Sequence, residues 1–108
     1  MSDRGGGKKQ GKVDGGLVEQ VTLTMAPAEL IRVLSPARLR VLAVAREGQL
    51  GVAQLARRLR RDARAVSRDV DLLEEHRLVD TSFGDNSGHG LRRIVRPAAT
   101  KIRLVVTV

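Results

Sequence analysis

At 108 residues the chain has room for one domain with a modest core, and its single aromatic residue, Phe83, argues against a single-strand reader that stacks bases on aromatic platforms. A formal net charge of +8 and a pI of 11.4 point to an acidic partner, with duplex DNA the best match and an acidic protein or a membrane surface also open. The absence of cysteine excludes disulfides and thiolate metal sites and fits a reducing cytoplasm, and neither a membrane-span-length apolar run nor a signal-peptide core is present.

Composition shifts near Leu17. Residues 1–16, MSDRGGGKKQGKVDGG, are rich in Gly and Lys and too polar to offset chain entropy, so they are expected to form a disordered basic arm ahead of a domain over 17–108. Arg4, Lys8, Lys9 and Lys12 suit a phosphate-tracking arm, and a solubilising tail accounts for them equally. Leu17 to Thr24 alternates as a short strand, and Pro27 opens a helical segment in which Leu30, Ile31 and Leu34 can cover a core. Ser35 before Pro36 is a cap followed by proline at the first helical position, which starts a helix running to about Arg46. Its buried face is expected to be Leu39, Leu42 and Ala43, with Glu47 and Gly48 ending it.

Val52, Leu55, Ala56 and Leu59 then fall at i, i+3, i+4 and i+7, the spacing that gathers apolar side chains on one helical face and leaves Arg57 and Arg58 outside. After the basic turn at Arg60 and Arg61, Asp62 stands where an N-cap belongs. The second helix is expected to run to about His76 with Ala63, Val66, Val70 and Leu73 inward and Arg64, Ser67, Arg68 and Asp71 outward. Beyond it, Leu78 to Phe83 reads as a strand, GDNSGHG as a turn and Leu91 to Val95 as the returning strand. Pro97 breaks the pattern, and KIRLVVTV closes the chain as an apolar strand that needs a partner, either the early strand, another chain or both.

Two short helices about a basic turn, with LARRL in the first and AVSRDVDLLEEHRLV in the second, followed by a glycine-rich hairpin, resemble the winged helix-turn-helix of small MarR- and ArsR-type prokaryotic regulators. The likeness runs from about Ser35 to Val108 and is strongest in V-S-R-x-V-x-x-L-E-x-x-x-L-V, from Val66 to Val79. It implies an α+β fold in which a three-helix core carries a β-hairpin wing, with short strands added at both ends. Many such regulators carry glycine where Arg77 stands, so this helix needs a non-glycine residue at its left-handed end or a different exit.

The function this implies is sequence-specific binding of duplex DNA by a transcriptional regulator, with residues 63–76 in the major groove and the wing, 78–95, on the backbone. Six arginines against Asp62 between Arg57 and Arg68 are more than an evenly alternating solvated face would carry. The candidate DNA-binding residues are therefore Arg57, Arg58, Arg60, Arg61, Arg64, Ser67, Arg68, Asp71, Arg92 and Arg93. Arg60 and Arg61 would meet phosphates, Ser67 and Arg68 base edges, and Asp71 would pair with Arg68 and orient it. Glu74 and Glu75 are assigned to the back of the helix. His76 suits the helix C-terminal dipole and His89 a turn, and neither has a histidine partner at metal spacing. GDNSGHG lacks the lysine ending of a phosphate loop, and Ser67 has no supporting base, so no enzyme, metal or cofactor is expected. Pairing of two half-sites favours a homodimer. The apolar C-terminal strand keeps open a second class of function, a winged-helix interaction module or antitoxin-like partner of another protein.

Overall fold

The computed structural model describes residues 8–14, 17–85 and 91–108. Strands β1 (Lys8–Asp14) and β2 (Leu17–Met25) are followed by α1 (Pro27–Val33), α2 (Pro36–Ala45), β3 (Leu50–Gly51), α3 (Val52–Leu59) and α4 (Ala63–Glu75). Then come β4 (Val79–Asp85), β5 (Leu91–Pro97) and β6 (Ala99–Val106). Among the described residues no helix is long and apolar enough to cross a membrane. The fold is a winged helix-turn-helix: α2, α3 and α4 form the helical core, and β4 and β5 pair antiparallel as the wing, with β3 alongside β5.

A second sheet has the order β1-β2-β6, with β6 parallel to β2 so that Val21 faces Ile102 in register and Leu23 faces Leu104. The partner of the C-terminal strand is thus the early strand of the same chain. Ile102 and Leu104 turn toward the core while Lys101 and Arg103 stay exposed, charges that discourage pairing at a sheet edge. Lys8–Asp14, inside the stretch expected to be a disordered arm, pairs antiparallel with β2. Strand pairing is satisfied by backbone hydrogen bonds, which low hydropathy does not register. The rest of that stretch and the hairpin tip with His89 lie outside the described residues.

One core joins the two halves. Val21, Leu23 and Met25 of β2 meet Val33 of α1, Val41 and Ala45 of α2, Leu55 and Ala56 of α3, and Val66, Val70 and Leu73 of α4. The α3 and α4 stripes are those the spacing predicts, except that Ala63 is exposed. The face of α2 differs. Val41 and Ala45 are fully buried, Leu42 is half-buried, Ala43 is exposed and Leu39 is 48% exposed. Leu39 and Leu42 instead border a cavity of about 310 Å³ that reaches to Ile102 and Leu104 of β6. In α1 the buried residue is Val33, with Leu30 and Leu34 packed beside the core and Ile31 in solvent.

The helix ends explain how the turns are set. Ser35 Oγ accepts the Arg38 amide at 3.2 Å with Pro36 in the first turn, as its sequence implies. Asp62 has the extended backbone of an N-cap but its carboxylate makes no capping bond. Arg60 (φ 54°) and Arg77 (φ 66°) occupy the left-handed positions that usually take glycine. At each, the paired bonds of a Schellman motif close the helix: Arg61 N to Ala56 O at 3.0 Å with Arg60 N to Arg57 O at 3.2 Å, and Leu78 N to Leu73 O at 2.9 Å with Arg77 N to Glu74 O at 3.0 Å. The second motif drives Leu78 into the core beside Leu73. His76, the C-cap of α4, has Nδ1 2.8 Å from Glu29 Oε2 and so ties that helix end to the first turn of α1.

Candidate nucleic-acid interface

The arginines that crowd the helix-turn-helix do not share one role. Arg61, in the turn, is pulled inward: its guanidinium reaches Asp69 Oδ2 at 2.7 Å. Asp69 sits on the inner side of α4, 8% exposed, and its other oxygen takes Arg38 of α2 at 3.1 Å. Arg38 also donates to the carbonyls of Val33 at 2.6 Å and Arg32 at 2.6 Å, which closes the C-terminal end of α1. Arg61, expected to meet phosphate, is held by Asp69 in this structure. A carboxylate this buried needs cationic donors, and the turn lies within reach. Arg58 is also paired, with Glu47 beyond the end of α2.

The wing arginines are anchored as well. Arg93 NH1 lies 2.7 Å from Asp71 Oδ1 and 3.5 Å from Ser67 Oγ, and its NH2 lies 3.0 Å from Glu74 Oε1. Glu74 Oε2 accepts the Thr81 hydroxyl of β4 at 2.7 Å. Asp71 therefore pairs across to the wing rather than along the helix with Arg68, and Glu74 belongs to the wing side rather than the back of α4. Ser67, Asp71 and Glu74 fall at i, i+4 and i+7, one stripe of the helix. Arg92 NH1 donates to Gln54 Oε1 at 2.8 Å, and the same oxygen accepts the Gly51 amide at the start of α3 at 2.8 Å. Arg92 Nε is buried with no partner among the described residues. This corner opens into a polar cavity of about 450 Å³ that Arg57 and Arg93 also line, a cationic recess without a carboxylate among its lining residues.

Four of the candidates are not engaged in this way: Arg57 on α3, Arg60 in the turn, and Arg64 and Arg68 on α4. All four are exposed, and none of their side chains has a hydrogen-bond or ion-pair partner among the described residues. Arg64 and Arg68 stand one turn apart on the outward face, beside the Ser67 stripe that meets the wing. Sequence reasoning missed Asp69, Arg38, Gln54 and Glu74 as the residues that fix this surface. Only Asp69 carried a signal, an acid one helical turn before Leu73 and therefore close to the buried stripe.

A family model, HVO_A0114, matches residues 33–97, from the end of α1 through the wing. Among solved structures, the homodimeric winged helix-turn-helix DNA-binding domain (fragment 1-100) of Mb0332 from Mycobacterium bovis, a possible ArsR-family transcriptional regulator, is similar at 20% identity with a TM-score of 0.56, over 67% of this chain and 63% of that one. A possible transcriptional regulator from Methanosarcina mazei Go1 is similar at 21% identity and a TM-score of 0.55, over 65% of this chain and 62% of that one. Reduced HlyU from Vibrio cholerae N16961 is similar at 22% identity and a TM-score of 0.56, over 68% of this chain and 73% of that one. The chain thus spans about three fifths of the length of the first two. No curated protein matches the sequence.

Proposed function

Because the chain belongs to the HVO_A0114 family and its fold is that of ArsR-like regulators, we propose that it binds duplex DNA as a transcriptional regulator, with α4 entering the major groove. The observation that carries this reading is the run Arg57, Arg60, Arg64 and Arg68, four exposed cations whose side chains have no partner among the described residues, while Arg58, Arg61 and Arg93 are each paired with an acid. A polyanion is the partner that satisfies them. Arg64 and Arg68, on the outward face of α4, are the base readers, and Arg57 and Arg60 meet phosphates on either side of the turn. The cationic recess at Gly51, Gln54 and Arg92 suits a further backbone phosphate.

The test is duplex binding across a salt series with a pool of random sequences, followed by selection. Arg57→Ala and Arg60→Ala are each expected to weaken binding to every duplex alike and to lower the slope of log K against log salt by about one unit. A wild-type protein that binds no duplex at low salt, or a slope unmoved by either change, overturns the assignment.

We further propose that the regulator acts as a homodimer, which matches a two-fold protein to paired half-sites. The support is the homodimeric state of the similar Mycobacterium bovis domain. Sedimentation is expected to give a species of twice 11.7 kDa, and a monomer at micromolar concentration on a two-half-site duplex counts against it.

A further inference from the structure

We propose that Arg93 is a positioning residue that fixes the wing against the recognition helix and acts on DNA through Asp71 and Glu74 rather than by touching it. The inference rests on the duplex-binding reading above. Both strands of the wing are tied to one acidic stripe of α4: β5 through Arg93, which reaches Asp71, Glu74 and, at the limit of hydrogen-bond distance, Ser67, and β4 through the Thr81 hydroxyl on Glu74. Glu74 thus carries one strand on each carboxylate oxygen.

The chemistry of the surface makes this tie consequential. Two carboxylates on the face of a helix that enters a groove would repel phosphates unless a cation is placed on them. Arg93, 21% exposed and engaged with two acids, is that cation, and a guanidinium already spent in this way has little left for a phosphate. Asp71 is 63% exposed and Glu74 41%, so the pairs add little to stability. What they set is geometry: the angle at which β4 and β5 leave the helix, and hence whether wing and helix reach one duplex together. Direct contact through NH1 or NH2 would weaken the hold of Arg93 on Asp71 or Glu74 and expose their charge to the DNA.

Charge change separates the two roles. Arg93→Ala lowers net charge by one, whereas Asp71→Asn with Glu74→Gln raises it by two and leaves the arginine in place. The probe is a duplex selected from a random pool by the wild-type protein, compared with an unrelated duplex of equal length. If Arg93 positions the wing, both variants reduce the ratio of specific to non-specific affinity, by roughly tenfold, because both release the hairpin. If Arg93 touches DNA, Arg93→Ala weakens binding while the Asn/Gln variant tightens it with the ratio unchanged or higher, and the proposal fails. Amide hydrogen exchange of the free protein supplies a second reading. Exchange at Ser82, Phe83 and Arg92 to Ile94 is expected to quicken in both variants while the α3 and core amides hold, and Arg93→Lys recovers part of the protection. Unchanged wing exchange in both overturns the proposal even in folded, DNA-binding variants. If the wild type selects no duplex, the functional reading fails, and the exchange experiment still judges the tie.

Discussion

Asp69→Ala is expected to lower the free energy of unfolding by about 2–4 kcal/mol, enough to move the thermal midpoint down by roughly 10 °C or more. Among the described residues the carboxylate is the only acid that holds Arg38 and Arg61, one oxygen to each, and its side chain is 10% exposed. Removing it strands two guanidiniums in a partly buried site, which costs more than the pair contributes when intact, because the desolvation of both cations is then uncompensated. The partners are 21% and 27% exposed, so each can turn partly to water, and the lower part of the usual range for breaking a buried pair applies. Arg38 is the less free of the two, since its Nε and NH2 stay on the carbonyls of Val33 and Arg32. Urea denaturation of Asp69→Ala and Asp69→Asn gives the measurement. A loss below about 0.5 kcal/mol in both, the scale of an ordinary surface substitution, would mean that the three-residue network does not hold α1, α2 and the turn together.

That network shows where sequence reasoning stops. Asp69 and Arg38 are 31 residues apart, and nothing local distinguishes Arg61 in the turn from Arg60 beside it. The two differ because Arg60 takes the left-handed position and points into solvent, while Arg61 follows it back toward the helix. The same holds for Arg93, whose acids lie on another element. By contrast, α3 and α4 are legible because their apolar residues occupy one face and their charges the other. At the end of α4 the sequence leaves two exits open, a left-handed residue other than glycine or a different geometry, and Arg77 takes the first. In α2 the pattern points to Leu39, Leu42 and Ala43, the wrong face: Leu39, Val41, Leu42, Ala43, Val44 and Ala45 surround the helix, and only the packing of β2 and α4 decides that Val41 and Ala45 go inside. The parallel pairing of β6 with β2 joins strands far apart in sequence, and what is legible of it is the need of the alternating apolar residues Ile102, Leu104 and Val106 for a partner, not which strand supplies it.

Arg64→Ala combined with Arg68→Ala is expected to cost about 2–5 kcal/mol of specific duplex affinity while leaving the fold intact or slightly firmer. Each change alone is expected to cost about 1–3 kcal/mol and relax selection at its own base position, as the loss of a base-reading arginine does. The two stand at i and i+4 with no acid partner described for either. Like charges at that spacing destabilise a helix by roughly 0.2–0.5 kcal/mol, so in the free protein the pair is a small strain that a bound duplex relieves. Stability and affinity should therefore move in opposite directions, which no packing role for these side chains would produce. Because the residues are neighbours, the double variant is expected to fall short of strict additivity. Competition titrations of the selected duplex against single-base variants, beside urea melts of the same proteins, decide the matter. If the double variant weakens selected and unrelated duplexes by the same factor, Arg64 and Arg68 are phosphate contacts, and the base-reading surface has to be sought elsewhere on α4 or in the wing.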